Sequence, residues 1–548
     1  MDLKKFIKDA KQEAARGGDV NVANVGEGAR VEQLGIGRNI FQAKINIGSL
    51  VIPVRFLLAL LAVAAVVAGV VWWIVTPGQM PPGNANIAIV EFGEQDATGN
   101  LKSSSQGAYL SQWLYNRLNE SVGDLPEKSR PSFWHLATGF DLTHFFQKRV
   151  VSAPIRDDAD AERIARQFNA RIVIYGNLAP GQSAASFIPQ FYIESSRGEA
   201  DELTGSQQLG QPIPITANVN DEYLEQTLQP IGRALIWFSR GLNNDLNGRY
   251  DLAYQVLKQG EGQLTDWNKN QGKEVLYYFI GREALFLANC EDDARIVFTP
   301  QGNTRATDLA LKEAEDNFKT AQQIAADNGR TYARATFGLG QVQAQRAQRK
   351  LIPPGSSTVG QCRINVPPPN TPISCPVRAV PPTDADTLKD ADDLNNQAIG
   401  LFNQAQKEMP VPAPSRLEGK LHGALAFAEI FKGELLLLEQ NTNEAEALIQ
   451  GVASDLQQLT QTAPADDRRT LAETYLGLGT ANLLAGFAHL NQNDQADARA
   501  SFQNAIQAFS TCNKMIPSDE IDTFLRANIL PNCSCTLQDA QKALDGLK

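Results

Sequence analysis

Histidine and cysteine carry much of the metal-binding and nucleophilic chemistry of proteins, and both are scarce in this sequence. Its 548 residues include six cysteines and only four histidines, His135, His144, His422 and His489. No G-x-S-x-G, H-E-x-x-H or P-loop motif accompanies them. We therefore expect no enzymatic activity, no metal site and no cofactor.

Two acidic pairs could serve general acid–base chemistry, Asp157-Asp158 and Asp466-Asp467. Each pair directly precedes a predicted helix, where a carboxylate accepts hydrogen bonds from the first N–H groups. Helix capping therefore explains both pairs without catalysis. The whole chain is acidic, with 61 Asp and Glu against 50 Lys and Arg. This balance excludes a dedicated nucleic-acid binder, which shows a basic stripe.

The cysteines predict disulfide bonds. Their number is even, no C-x-x-C pair suggests zinc, and they all lie in the second half of the chain: Cys290, Cys362, Cys375, Cys512, Cys533 and Cys535. Cys362 and Cys375 enclose the proline-rich run RINVPPPNTPIS, and we predict a bridge between them. Cys533 and Cys535 are too close for an easy mutual bridge, so we expect one of them to reach Cys512 or Cys290.

A membrane span is the strongest single signal in the sequence. Phe56 to Val75 contains no charged residue, and 20 residues of helix cover about 30 Å, the thickness of a hydrocarbon core. Residues 1–55 carry nine Lys and Arg, whereas Thr76 to Val90 contains none. The positive-inside rule then predicts a cytoplasmic N-terminus, an uncleaved signal anchor at 56–76 and an extracytoplasmic remainder, periplasmic or at the cell surface.

The predicted cytoplasmic tail, residues 1–55, contains a Gly- and Val-rich segment of strand-and-turn composition. Gly26-Glu-Gly28 and Gly35-Ile-Gly37 do not extend to a dinucleotide-binding motif. The segment is either a small β-patch or a flexible tail, or a self-associating β-arch. The last alternative is suggested by Ile45 to Leu50 and would give a homo-oligomer.

After a linker at 77–85, residues 86–216 predict a small α/β domain. Ile87 to Gly93 and Arg171 to Gly176 have the composition of buried strands, and further strands are expected at Phe187–Glu194 and near Leu203–Ile215. Two helices between the first two strands have apolar stripes, formed by Leu110, Trp113, Leu114 and Leu118 in the first and by Ala161, Ile164, Ala165 and Phe168 in the second.

The runs IAIVEFG and ADAERIARQFNARIVIYGNL resemble the TolB amino-terminal-like domain over about residues 84–216. The resemblance implies a non-enzymatic binding or assembly module and carries over no catalytic residue. Glu127–Val150 stands where that family has a short loop, so it is expected to be an insertion. His135 and His144 within it are expected to be polar edge residues, not metal ligands.

Residues 220–548 predict an all-α solenoid. Trp237, Gly241, Tyr250 and Ala253 fit the first-helix and second-helix positions of one repeat, and the second-helix spacing recurs at Ala314/Phe318/Ala321, Ala398/Phe402/Ala405, Ala498/Phe502/Ala505 and, less closely, Ala445/Ile449/Val452. The corresponding first-helix glycines are Gly281, Gly340, Gly433 and Gly486. This pattern resembles the tetratricopeptide (TPR) repeat, in which small residues lie where two helices touch.

Two insertions interrupt the repeats, at 290–307 and 347–387. The second contains the prolines and the Cys362/Cys375 pair, and it either contacts a partner or is an inert excursion. Residues Ile521–Leu547 are expected to cap the end of the stack.

In a TPR stack the first helices line a concave groove, and offsets from the glycines place nine residues there: Phe238, Asp245, Tyr278, Arg282, Arg334, Phe337, Phe427, Ile430 and Phe487. Such a groove would bind a peptide with apolar anchors and a carboxylate, which Arg can bind bidentately. The competing interpretation is that several of these side chains pack beneath the insertions. If the groove is correct, replacing Arg282 and Arg334 by Ala should weaken binding and leave stability nearly unchanged.

Three functions fit these patterns. The first is a non-enzymatic, membrane-anchored scaffold whose repeats bind a protein or peptide. The second is a transmembrane signalling or defence component that assembles through its cytoplasmic β-segment. The third is an accessory subunit of an envelope enzyme or transporter. The identity of the partner cannot be read from the sequence.

Overall fold

The computed structural model describes residues 29–31, 44–47, 50–53, 78–81, 86–122, 130–138, 149–179, 185–194, 203–208, 212–215, 221–245, 248–263, 272–289, 291–299, 304–325, 329–351, 375, 384–409, 415–463, 467–516, 525 and 529–547. The chain divides into two compact units, Met1–Gly78 and Gln79–Lys548. Within the described ranges, no helix has the length and apolar character needed to cross a membrane. The span predicted at Phe56–Val75 lies outside those ranges.

The first unit contains a three-stranded antiparallel sheet. Its strands are β1 (Ala29–Val31), β2 (Lys44–Ile47) and β3 (Leu50–Pro53), with β2 in the centre. Ile45 stands opposite Ile52 in the register of β2 and β3. These strands lie in the segment of strand-and-turn composition, and its self-association stays a prediction.

The second unit begins with a mixed nine-stranded sheet. Its strands are β4 (Asn86–Val90), β5 (Gly93–Gln95), β6 (Leu101–Ser103), β7 (Ser132–Thr138), β8 (Val150–Val151), β9 (Ile172–Ala179), β10 (Ala185–Ile193), β11 (Gly205–Gln208) and β12 (Ile213–Ile215). Strand β4 lies between β7 and β9 and is parallel to both. Strand β10 is antiparallel to β9, and its other neighbours are β11 and β12.

Two helices pack on this sheet, α1 (Ser105–Ser121) and α2 (Asp158–Phe168), and the apolar stripes predicted for them are buried. The Asp157 carboxylate caps α2 by accepting a hydrogen bond from the Asp160 N–H at 2.9 Å. This contact confirms the capping interpretation of the first acidic pair.

The predicted insertion at Glu127–Val150 contains β7, a strand of the nine-stranded sheet. Phe133 to Leu136 belong to β7, in parallel register with β4. The expectation that His135 is a polar edge residue is corrected, because its side chain contacts Ser111 and Tyr115 of α1 and is only 6% exposed. His144 lies outside the described residues.

In the remaining residues of the second unit that the structure describes, the long regular elements are helices. They are α3 (Asp221–Asp245), α4 (Tyr250–Gln263), α5 (Lys273–Ala288), α6 (Glu291–Val297), α7 (Ala306–Ile324), α8 (Gly329–Lys350), α9 (Ala385–Glu408), α10 (Ser415–Leu438), α11 (Thr442–Thr462), α12 (Arg468–Asn491), α13 (Gln495–Met515) and α14 (Leu530–Asp545). The predicted insertion at 290–307 contains α6. Helix α14 packs on α13.

The helices pair through the predicted glycines. A Cβ atom built on Gly340 of α8 would lie 2.5 Å from the Phe402 ring of α9, so only glycine permits this approach. The same kind of contact joins Gly241 to Leu257, Gly281 to Phe318, Gly433 to Ile449 and Gly486 to Phe502. The residues that carry the repeat pattern therefore define five helix pairs: α3/α4, α5/α7, α8/α9, α10/α11 and α12/α13.

The disulfide pairing differs in part from the prediction. Cys375 is bonded to Cys535 of α14 and not to Cys362, so the predicted Cys362–Cys375 bridge is wrong. Tertiary packing brings the Cα atoms of Cys375 and Cys535 within 5.4 Å across a sequence separation of 160 residues, which spacing along the chain cannot reveal. Of the pairings left open for Cys533 and Cys535, the bond between Cys512 and Cys533 is present. Cys290 and Cys362 lie outside the described residues.

Candidate interaction surface of the helical repeats

The predicted groove residues are mostly interior residues. Seven of the nine have side chains that are buried in the second unit: Phe238, Asp245, Tyr278, Arg282, Arg334, Phe337 and Ile430. Phe427 is half-buried, and Phe487 is 39% exposed. The groove as predicted is therefore not an open surface along its whole length, and two distinct contacts explain why.

The first contact is an ion pair inside the helical stack. The Arg282 guanidinium donates to the Asp245 carboxylate at 2.6 Å and to the Glu283 carboxylate at 2.9 Å, and each of the three side chains is at most 3% exposed. The Arg282 guanidinium also lies over the Phe286 ring, 4.4 Å from the ring centroid. Arg282 thus binds carboxylates of its own chain.

The second contact joins the repeats to the sheet. Arg334 of α8 is fully buried and donates to the Thr204 carbonyl oxygen at 3.0 Å. One turn earlier, Arg330 donates to the Ser206 carbonyl oxygen at 3.2 Å and forms an ion pair with Asp158 of α2 at 3.0 Å. These arginines cover the outer edge of β11, where unpaired carbonyl groups would otherwise face solvent.

Apolar packing extends the same contact. Phe191 of β10 stacks on Phe238 of α3 with 5.9 Å between ring centroids, and one continuous hydrophobic cluster runs from the sheet into α3, α5, α7 and α8. The α/β domain and the first helix pairs therefore share a core. The sheet occupies the helix face on which the sequence placed a peptide.

The burial of this face changes along the stack. We compare the residue that lies six positions before each pairing glycine. In α3, α5 and α8 this residue is buried (Leu235, Val275 and Arg334), and in α10 and α12 it is half-buried (Phe427 and Thr480). The residue that directly follows each glycine shows the same trend. It is buried in α3 and α5 (Leu242 and Arg282), half-buried in α8 and α10 (Gln341 and Glu434) and exposed in α12 (Phe487). Both positions are thus buried in α3 and α5, whereas in α10 and α12 they are half-buried or exposed.

We call the half-buried and exposed part of this helix face in α10 and α12 the open face. Its residues are Lys420, Phe427, Glu434, Glu473, Thr480 and Phe487. Lys420 and Glu473 stand thirteen residues before the glycines of α10 and α12, and their charged groups are 3.9 Å apart. Phe427 packs at the edge of the α11–α12 core, and Phe487 makes an edge contact with Phe502, with centroids 5.4 Å apart. The open face combines two aromatic side chains with one ion pair and the acidic Glu434.

Sequence reasoning found Phe427 and Phe487 but missed the other members of the open face. The sequence could have identified them, because each lies thirteen or six residues before a pairing glycine or one residue after it. Only tertiary packing distinguishes the closed positions from the open ones, as for Arg334, whose hydrogen-bond partner Thr204 lies 130 residues earlier in the chain.

A second place with chemically competent residues lies beside β7. The Ser111 hydroxyl is 3.0 Å from Nε2 of His135, and both side chains are buried. Ser111 also donates to the Ala108 carbonyl oxygen at 3.0 Å. Because the Ser111 proton is directed to that carbonyl oxygen, the hydroxyl oxygen is placed to accept a hydrogen bond from the imidazole.

Metal binding finds no support within the described ranges, where no three His, Cys, Asp or Glu side chains are grouped to hold an ion. No protein-family model and no curated protein sequence matches the chain. Its function is therefore inferred from the open face and from the sequence patterns.

Proposed function

We propose that this chain is a single-pass, membrane-anchored scaffold that binds a protein or peptide partner on the open face and has no catalytic activity of its own. The observation that carries the proposal is the change in burial along one helix face. Six residues before its pairing glycine, Arg334 is fully buried, whereas Phe427 at the equivalent position is half-buried. One residue after its pairing glycine, Arg282 is buried, whereas Phe487 at the equivalent position is exposed.

The chemistry of the open face favours a peptide or protein over a small molecule. The exposed Phe487 and the half-buried Phe427 lie on a face that also carries charged groups. Aromatic side chains beside charged groups are typical of protein-binding surfaces, where aromatic anchors supply most of the binding energy. The resemblance of the repeats to TPR proteins supports the same interpretation, because those proteins bind peptides on the first-helix face. The resemblance of residues 84–216 to the TolB amino-terminal-like domain adds a non-enzymatic envelope module.

The location is proposed from the sequence and supported by the disulfides. The apolar segment Phe56–Val75 would anchor the chain, with the basic tail in the cytoplasm. Two disulfides join residues of the large C-terminal portion. Structural disulfides persist in oxidising compartments, in agreement with an extracytoplasmic location.

Photo-cross-linking in native membranes tests the binding surface. A photoreactive amino acid replaces Phe487 on the open face in the full-length chain, and the control places it at Gln503, an exposed residue of α13. We expect a discrete adduct from position 487, identifiable by mass spectrometry, and none from position 503. The same adducts from both positions, or none from either, would reject the open face as a binding surface.

Affinity for the partner identified in this way provides the quantitative test. Replacing Phe427 and Phe487 by Ala should weaken binding by about tenfold or more, since aromatic anchors contribute about 1–2 kcal/mol each or more. The matched control replaces the exposed Gln503 and Asn504 by Ala and should leave affinity unchanged. Equal affinities for the two double variants would contradict the proposal.

A further inference from the structure

The last helix carries two disulfide bonds on opposite sides. Cys533 is bonded to Cys512 of α13, and Cys535 is bonded to Cys375. Residues two apart on a helix point about 200° away from each other. The two bonds therefore have different surroundings, although their cysteines on α14 are separated by one residue.

The bond between Cys512 and Cys533, called the inner disulfide here, lies in a core. Both residues have no exposed surface, and they belong to one hydrophobic cluster with Phe502, Phe509 and Leu525. A thiol reagent could reach these sulfur atoms only if α14 left α13. Exchange at this bond is thus coupled to opening of the core.

The bond between Cys375 and Cys535, called the outer disulfide, is the more accessible of the two. Both of its residues are half-buried, and so are the polar residues Ser534 and Thr536 beside Cys535. This bond links α14 to a residue that precedes α9, whereas α14 is held on α13 independently by the inner disulfide and its apolar contacts. Breaking the outer disulfide removes no contact of that core.

We propose that the outer disulfide is a thiol-exchange site that an external dithiol reduces while the inner disulfide stays closed. A dithiol thiolate attacks one sulfur of the Cys375–Cys535 bond, which breaks that bond and forms a mixed disulfide. The second thiol of the reagent then attacks the mixed disulfide. The dithiol leaves as a cyclic or intramolecular disulfide, and Cys375 and Cys535 each gain one electron and one proton as thiols.

The consequence is a redox-controlled connection between residue 375 and the end of the helical stack. Reduction would free residue 375 from α14 without uncapping α13. This inference does not depend on the binding role of the open face, because it concerns only access to two sulfur atoms and the packing of α14.

Graded reduction of the full-length oxidised chain tests the proposal. Samples are incubated with increasing dithiothreitol, free thiols are alkylated, and each cysteine is quantified by mass spectrometry under non-reducing conditions. We expect Cys375 and Cys535 to be alkylated together, at least about tenfold faster than Cys512 and Cys533 because of their greater access. The helical circular dichroism should be unchanged at the point where the outer disulfide is fully open.

A variant separates access from general instability. Cys535→Ser removes the outer disulfide only, and its inner disulfide should open at the same rate as in the unmodified chain. The proposal is overturned if both bonds open together, if the inner bond opens first, or if opening of the outer bond is accompanied by loss of helical signal.

Discussion

Arg334 on α8 donates a hydrogen bond to the main-chain oxygen of Thr204, which lies 130 residues earlier in the chain, at 3.0 Å. The guanidinium is completely buried between the repeats and the sheet. This single contact changes the role assigned to Arg334 by the repeat pattern, from ligand binding to joining two parts of one folded unit.

Replacing Arg334 by Ala should therefore destabilise the protein. The change leaves the Thr204 carbonyl group without this donor and leaves a cavity at the interface, so we expect a loss of about 2–4 kcal/mol in the free energy of unfolding. Urea denaturation followed by circular dichroism measures it. This result would reverse the expectation from sequence that the substitution leaves stability nearly unchanged.

The matched control for this prediction is Arg163→Ala on α2. Arg163 is about half exposed and its ion pair with Asp160 lies at the surface, so the expected loss is below about 1 kcal/mol. Similar losses for the two variants would contradict the assigned role of Arg334.

Two glycines on adjacent helices predict opposite effects of the same substitution. Gly340→Ala places a methyl group 2.5 Å from the Phe402 ring and should cost about 1–3 kcal/mol. Gly400→Ala on α9 meets no atom within 4 Å and should stabilise the helix by about 0.5–1 kcal/mol. Thermal and denaturant unfolding of the two variants checks the signs.

A compensating substitution tests whether the cost at residue 340 comes from the Phe402 ring. In the variant with both Gly340→Ala and Phe402→Leu, the smaller side chain makes room for the new methyl group. The two changes together should then cost less than the sum of the single changes. Additive losses would mean that the close contact is not the cause.

The start of α7 predicts a pH-dependent contribution to stability. The Glu291 carboxylate accepts hydrogen bonds from the N–H groups of Ala306 and Thr307 and from the Thr307 hydroxyl, at 3.0–3.3 Å. Burial opposes its ionisation, but these bonds and one from Arg295 outweigh burial and hold the pKa of Glu291 below its ordinary value of 4.5.

Since the folded-state pKa of Glu291 is depressed, its stabilising contribution is present above the unfolded-state pKa and is lost as the pH falls through the folded-state value. Glu291→Gln should therefore lower the unfolding free energy by about 1 kcal/mol at pH 7, with a smaller difference below about pH 4. Denaturant titrations at several pH values measure this change. A difference that does not vary with pH would exclude the charge as its cause, and the exposed Asp292→Asn serves as control.

The proposed membrane anchor predicts a sharp effect of one charge. Ala65→Lys places a cation near the centre of the apolar segment, where insertion scales assign a cost of about 2.5–3.5 kcal/mol. Membrane fractionation of the full chain should show a reduced inserted fraction, whereas Ala65→Leu should insert like the unmodified chain. Protease added to sealed spheroplasts should digest the chain beyond residue 80 and spare residues 1–50. Protection of the large C-terminal portion would overturn the proposed orientation.

Much of the local structure follows from the sequence because it depends on short-range physics. Ala161, Ile164 and Phe168 recur at helical spacing, and their stripe is buried in α2. Gly340 and Phe402 match a spacing that requires a close helix approach, and the contact is present. The strand β7 was missed, because the surrounding family resemblance suggested a loop at FWHLA, although Phe133 and Leu136 are apolar.

Which surface stays open was decided only by tertiary structure. Arg334 and Phe427 stand at the same distance before a pairing glycine, so the local pattern treats them alike. They differ because Arg334 is fully buried and bound to Thr204, which directly precedes β11, whereas Phe427 is half-buried. In the same way, the sequence predicted disulfides, but the partner of Cys375 was decided by the position of α14, which brings Cys535 close to Cys375 across a separation of 160 residues. Periodicity determines which side chains share a face, whereas long-range packing determines what covers that face.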